Sequence, residues 1–278
     1  DCVAMRDAWQ ASGKQFVIGF TLRFSPHYRK IKELLDEGIV GDIISMEFNE
    51  TLDFNHGAWI HDDWRSETRY AGTHLLEKCS HDIDLVNWMI GSRASRVASF
   101  GGLDFFIPEN VHHMDRLGRD ANGCKAYKAM GSTKSSPNTD AFTRQPKDIV
   151  DNQVAIIEYE NKVRATFHTN CNAAISERRM YILGSEGTLR ANITTGVIES
   201  KRIGFDTELI EHDTGVVGGH GGGDEVLAVE FKDCMLNGGT PAAGLEDGLM
   251  SAITCFGIDE ANETGKVVDM AELWARLK

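Results

Sequence analysis

The sequence predicts an α+β fold built on a large, open, mostly antiparallel mixed sheet flanked by helices. Three observations predict it. Helical patterns come first, at residues 2–12 and 26–37. A run of short alternating segments follows between residues 153 and 203, broken by turns at Glu160-Asn161-Lys162, Gly184 and Gly196. Two more helical patterns close the chain, at 225–236 and 245–264. Helices, then a block of strands, then helices argue for one sheet covered by helices.

The 278 residues suffice for one large or two medium domains. With 41% hydrophobic and 26% charged residues, the composition is that of a soluble globular protein, and the expected location is cytoplasmic. The formal charge of -13 repels phosphate backbones and argues against nucleic-acid binding. No apolar run approaches the roughly 18 residues of a membrane span. The six cysteines form no CxxC pair, which points to buried free thiols in a reducing compartment and away from structural zinc.

The elements follow in order. DCVAMRDAWQASG, beginning at Asp1, reads as an amphipathic helix stopped by Gly13. In KQFVIGFTLRF, Phe16, Val17, Ile18 and Phe20 make a continuous apolar run, expected as a buried strand. Ser25 caps the next helix, with Pro26 at its first position, and Gly38 ends it. Ile43–Leu52 alternates as a strand. Residues 53–70, rich in His, Asp and Trp without a clean period, read as a functional loop. A helix over Ala71–Gly91 and a strand near Arg96–Phe100 come next. Residues 103–150 read as an irregular insertion or lid. In the strand Val163–Cys171, Val163, Ala165, Phe167 and Thr169 face one way, and Arg164, Thr166, His168 and Asn170 the other. VVGGHGGGD opens the helix near 225, and Gly265 ends the last one.

The helix over 71–91 holds the chemistry. At about 100° per residue, Leu75, Leu76, Cys79, Ile83, Val86 and Ile90 share one side. Glu77, His81 and Asp84 share the other, with His74 and Trp88. A carboxylate one turn from a histidine can fix its tautomer and raise its basicity, which suits proton transfer with a hydroxyl. The same pattern also fits a solvated face, and less well a metal site of His74, His81 and Asp84. Trp64 and Arg65, just upstream, suit an aromatic wall and forked donors for a polyol. His220, on a pliable glycine loop, can reach a ligand or simply lie on a mobile surface. Arg23 ends the expected first strand, where functional groups are common, or else forms a buried ion pair. His168 and Asn170 line a sheet face, either wet or subunit-facing. No GxGxxG or GxxxxGK[ST] pattern occurs, so no phosphate cradle is expected in this chain.

Taken together, VIGFTLRFSPHYRKIKELLDEGIVGDIISMEF, WRSETRYAGTHLLEKCSHDIDLVNWMIG, GSEGTLR, GHGGGD and IDEANETGKVV resemble, in order, the Gfo/Idh/MocA oxidoreductases. The resemblance implies an N-terminal Rossmann domain binding NAD or NADP and a C-terminal domain whose open sheet often joins subunits. It implies that this chain begins just past the family's Glu-Lys-Pro motif, so the cofactor-binding residues are expected mainly upstream of Asp1. Residues 1–22 would then be the last helix and strand of the dinucleotide domain, and 23–278 the substrate and oligomerisation domain, with an insertion at 103–150. His81 matches the family's acid/base histidine in Asp-x-x-x-His, with Glu77 at the Asp position. Lys78 is expected to point elsewhere. Only Cys124 stands in the region where some relatives carry several cysteines, so no metal is expected.

The expected function is hydride transfer between a sugar or polyol and NAD or NADP. His81 and Glu77 are the catalytic pair, and Arg23, Trp64, Arg65, Asp84, His168, Asn170 and His220 hold substrate. The chain alone is expected to lack the cofactor site and to be inactive, and a homo-oligomer through the sheet is expected. A non-catalytic sugar-sensing or oligomerisation domain, and an NAD-dependent glycosidase, are the alternatives.

Overall fold

The computed structural model describes residues 1–121, 123, 127, 140–216 and 220–277. Cys124, with residues 122, 125, 126 and 128–139 of the expected lid, and residues 217–219 of the glycine loop lie outside the described residues. The elements in order are α1 (Cys2–Ser12), α2 (Thr21–Phe24), α3 (Pro26–Asp36), β1 (Ile43–Asp53), α4 (Phe54–Asp62), α5 (Thr68–Ala71), α6 (Ser80–Ile90) and β2 (Ala94–Gly102). Then come α7 (Asp140–Thr143), β3 (Asn152–Tyr159), β4 (Arg164–Ala173), β5 (Glu177–Gly184), β6 (Gly187–Asn192), β7 (Val197–Arg202) and β8 (Ile210–Glu211). The chain ends in α8 (Gly223–Asn237), α9 (Leu245–Thr264), β9 (Val268–Asp269) and α10 (Ala271–Ala275).

The nine strands form one open sheet in the order β8-β7-β6-β5-β1-β4-β3-β2-β9. Its pairs are antiparallel except β1 with β4. The alternation expected in Val163–Cys171 is observed: Val163, Ala165, Phe167 and Thr169 are buried, while Arg164, Thr166 and His168 are exposed. One face of the sheet is therefore the core face. Met46, Phe48, Phe167, Met180 and Ile182 on it pack in one cluster with Ile83, Val86 and Ile90 of α6 and Ile253, Ile258 and Ala261 of α9. Each such side chain, fully buried, stabilises the fold by about 1.5–3 kcal/mol. The other face is open and carries exposed Phe100, Val154 and Ile156. No helix among the described residues is long and apolar enough to cross a membrane.

The helix expected at the start is present. Asp1 stands at the N-cap of α1, where its carbonyl accepts from the Met5 N–H at 2.9 Å and its side chain makes no capping bond. Gly13, in the left-handed conformation, ends it.

Four segments differ from the expectation. Residues 14–20 belong to no strand or helix of the described residues, and the Ile18 N–H donates to the Ala243 carbonyl instead. Residues 53–70 are largely helical, because the Asp53 carboxylate caps α4 at the Asn55 N–H and Asp63 caps a short 3₁₀ turn, Trp64–Ser66, at the Arg65 N–H. The Ala71–Gly91 helix is interrupted: Leu75–Cys79 form a π-turn before α6 begins. Finally, both ends of the expected lid contribute to packing: Phe106, Met114, Tyr127 and Phe142 form a satellite core with Leu52 and Ile60.

Gly57 lets α4 lie against β4. A Cβ at this position would sit 1.7 Å from the Cys171 carbonyl oxygen. Gly57→Ala is expected to lower the unfolding free energy by about 3 kcal/mol, through overpacking that backbone cannot relieve. Urea denaturation of wild type and variant measures it.

Candidate functional site

One row of the core face turns polar. Phe48 on β1 lies between Phe167 of β4 and Met180 of β5. Two residues on, the same face presents Glu50 between Thr169 and Arg178. Helix residues close over this row. Arg178 Nε lies 2.9 Å from Asp82 Oδ1, and its fork also reaches Glu50 Oε1. Lys78 Nζ donates to Glu50 Oε1 at 2.9 Å. His74 Nε2 lies 3.1 Å from Thr169 Oγ1 and 3.5 Å from Cys79 Sγ. Glu50, Asp82, Arg178 and His74 are all buried.

The charges in this cluster divide in a definite way. Burial pushes the Glu50 carboxyl up, but Arg178 and Lys78 more than reverse it and hold it well below the usual carboxylate range. Burial drives Asp82 well above that range, against the pull of Arg178. Two carboxylates this close divide their affinities, one ionised and one inclined to keep its proton. Burial pulls the Lys78 ammonium down, and Glu50 outweighs it, so the lysine stays charged.

His81 stands at the edge of the cluster, its ring 5.7 Å from that of Phe20. Burial lowers its pKa to about 4, with Lys78 and Arg178 adding to the effect, so it is neutral at pH 7. Its Nδ1 is enclosed without a hydrogen-bond partner among the described residues, whereas Nε2 is not enclosed. His56, on α4, is lowered to about 4 by burial and by the same lysine. A wall stands beside it: the Arg65 guanidinium lies 4.1 Å from the Trp59 ring and 4.4 Å from that of Trp64.

The expected site residues therefore separate. Glu77 does not serve His81; it accepts from Arg65 Nε at 2.9 Å, which joins Glu77, Arg65 and Trp64 in one wall. The π-turn is the reason, since it changes the angular step that placed Glu77 above His81. Asp84 and Arg23 are not open to substrate. Their carboxylate and guanidinium pair at 2.6 and 2.8 Å, both buried, with Asp247 2.9 Å from the same arginine. The buried ion pair was the right alternative for Arg23. His168 projects from the open face of the sheet, and Asn170, half-buried, lies on that same face, so neither lines the site under α6. His220 caps back onto Asp224 at 2.8 Å and is close enough to His81 to depress it.

Lys78, Glu50, Asp82, Arg178 and His56 are the residues that the sequence reading missed. Lys78 points into the cluster, not away from it. A signal existed: Glu50 and Arg178 put charges at positions where the alternation of β1 and β5 calls for apolar side chains. Glu50, Cys79 and Asp82 bring possible ligand atoms within 4.8 Å of one another. Arg178 and Lys78 already pair with these carboxylates and burial drives the Cys79 thiol well up, so the donor set does not suit a divalent ion.

A dinucleotide needs bare backbone N–H groups for its pyrophosphate. Gly221 and Gly223 open α8, but Cβ atoms there would strike Ser25 Oγ at 2.6 Å and the Thr21 carbonyl oxygen at 2.3 Å. Those glycines serve packing, so at Gly221 and Gly223 the backbone is not left bare for a pyrophosphate. Asp1, the residue upstream of which the cofactor groups are expected, borders a surface hollow with Ile253 and Phe256 of α9 and Leu273 of α10. That hollow is largely apolar in its lining, with Arg276 at its margin. A surface cavity of about 410 Å³ lies elsewhere, on the open side of the sheet by Tyr181, Arg190 and Leu209.

Comparison with known proteins bears on this arrangement. Residues 32–270 match a family described as "Oxidoreductase family, C-terminal alpha/beta domain". A Bacillus subtilis (strain 168) protein named "Putative oxidoreductase YteT" is 26% identical, over 99% of this chain and 73% of its own length. The inositol 2-dehydrogenase/D-chiro-inositol 3-dehydrogenase of Lactiplantibacillus plantarum is 20% identical over 41% of this chain and 28% of its own. Among solved structures, a levoglucosan dehydrogenase in complex with NADH and levoglucosan superposes with a TM-score of 0.73 at 19% identity, covering 97% of this chain and 70% of that one. An oxidoreductase domain protein from Kribbella flavida gives 0.71 at 18%, covering 94% and 68%. At these identities the structural likeness is one of fold.

The buried imidazoles give the molecule an acid limb. His74 is held to about 4 by burial, below its usual 6.5. Between those values the unfolded chain binds the proton and the folded one does not, so stability falls as pH drops from 6.5 towards 4. Replacing His74 by Gln is expected to flatten that limb by about 1.4 kcal/mol per pH unit. Urea titrations of both proteins at pH 7, 6, 5 and 4.5 measure the difference.

Proposed function

The chain belongs to the Gfo/Idh/MocA oxidoreductase family through its C-terminal α/β domain, and from that premise we propose that it carries the substrate side of an NAD(P)-dependent dehydrogenase acting on a sugar or polyol hydroxyl. The observation that carries the reading is His81: neutral at pH 7, with Nε2 not enclosed, beside a charged lysine. Such an imidazole can take the hydroxyl proton at Nε2 as the carbinol is oxidised, and return it in the reverse direction. The Trp59–Arg65–Trp64 wall offers flat apolar surface and donors, which suit the face and edge of a sugar ring. Relatives whose names include inositol and levoglucosan support a polyhydroxylated substrate.

NAD or NADP, which takes the hydride in such a reaction, would be held by residues other than those described, mainly upstream of Asp1. In this reading residues 1–22 are the end of a dinucleotide domain and 23–278 the substrate and oligomerisation domain. Copies of the chain would join through the open sheet face, where Phe100, Val154 and Ile156 are exposed.

His81→Ala, made in the full-length gene product, is expected to lower kcat/KM for sugar or polyol oxidation by about 100-fold or more. Its thermal midpoint should move little. Steady-state assays with NAD and with NADP over a panel of free sugars, polyols and glycosides test this. Turnover at the wild-type level sinks the assignment of His81, and glycoside cleavage without net oxidation points to the glycosidase branch.

A further inference from the structure

We propose that Lys78 is a second catalytic residue, whose ammonium donates a hydrogen bond to the substrate oxygen as His81 removes its proton. The proposal rests on the reading of His81 as the acid/base. An ammonium carries three N–H donors. Among the described residues one is engaged, by Glu50 Oε1 at 2.9 Å. The Lys78 side chain is 18% exposed, whereas those of Glu50 and Arg178 are 6% and 9%. The lysine is thus the cation at the open rim of an otherwise buried cluster, with donors to spare.

Its placement matches the need. The π-turn Leu75–Cys79 carries Lys78 onto the sheet side, three residues before His81. The imidazoles of His56 and His81 both feel its charge. The other groups facing it are Glu50 of β1, Arg178 of β5, Asp82 and Cys79 of its own helical segment, and His74 and His56. As the O–H bond breaks, its proton goes to His81 and the electron pair stays on oxygen until the carbonyl forms; NAD or NADP, held by residues other than those described, would accept the C–H hydride. A fixed ammonium stabilises that negative oxygen more than the starting hydroxyl, which is what lowers a barrier. If Lys78 served only to neutralise Glu50, none of this would reach the substrate.

The test uses the full-length protein, the same substrate panel, and the variants Lys78→Met, Lys78→Ala and Lys78→Arg. Lys78→Met is expected to lower kcat by about 100-fold with KM changed less than about threefold. Ethylamine should restore part of the turnover of Lys78→Ala. NMR titration of the His81 imidazole, an observable independent of turnover, should move upward in Lys78→Met as a positive neighbour is lost. If Lys78→Met does not fold, Lys78→Arg decides: it keeps the charge but not the compact donor, and wild-type kcat in it overturns the proposal. So does a kcat for Lys78→Met within about threefold of wild type, or a loss with no amine rescue and an unmoved His81 titration. A wild type that oxidises no sugar or polyol with either nucleotide overturns the oxidoreductase reading, and this assignment with it.

Discussion

The guanidinium of Arg178, buried between Glu50 and Asp82, is the interaction on which the rest of the structure depends. A charge in that position is tolerable only while both carboxylates face it; stripping away one partner of a buried pair costs about 3–5 kcal/mol. The requirement propagates outward. Arg178 must stay on the core face of β5, opposite Glu50 of β1, so the β1–β5 register cannot slip by one residue. Glu50 in turn sets Thr169 of β4 beside it, across the sheet's parallel pair among the described strands. Asp82 must arrive from α6, which fixes the helix along its axis. A hydrophobic cluster of the same volume would hold the layers at least as firmly. What the ionic one adds is uniqueness of register, and a polar floor.

The π-turn is the second consequence. Leu75, Cys79 and Ile83 all have to stay in the core while Lys78 and Asp82 reach the polar row. The extra residue of the turn re-aims the side chains before it relative to those of α6, while these five stay on the sheet side. The same adjustment turns Glu77 outward to Arg65, and Arg65 lies against Trp59 and Trp64. The wall of the site and its floor are therefore coupled through five residues of irregular helix.

Much of the fold was legible in the sequence because it rests on period and punctuation. The alternation of Val163–Cys171, Ser25 and Pro26 at a helix start, and Gly265 at the end of α9 all act locally, and all appear where expected. The proposal for His81 rests first on the family resemblance. The rest was lost where a non-local contact overrode a local rule. Arg23 and Asp84 looked like functional groups because nothing in their own segments shows that they will meet. Glu77 and Lys78 exchanged roles because a wheel of constant step has no place for a π-turn. Residues 53–70 looked irregular because their helices are short and depend on Asp53 and Asp63 caps more than on periodicity. Glu50 and Arg178 were readable in principle, as charges on apolar faces, but each makes sense only beside the other.

The proposed reaction needs a neutral histidine and a charged lysine as neighbours, and burial alone cannot deliver both. Desolvation disfavours the charged form of each base, so it would neutralise Lys78 along with His81. Glu50 separates them. It touches Lys78 directly, and that contact outweighs the lysine's burial. On His81 its pull is weaker than burial, Lys78 and Arg178 together, so the imidazole stays unprotonated. Arg178 keeps Glu50 ionised and therefore able to play this part. One carboxylate, fixed by one arginine, thus keeps the lysine charged without protonating the histidine three residues away, which is the division that the proposed removal of a hydroxyl proton and stabilisation of the oxygen it leaves behind requires.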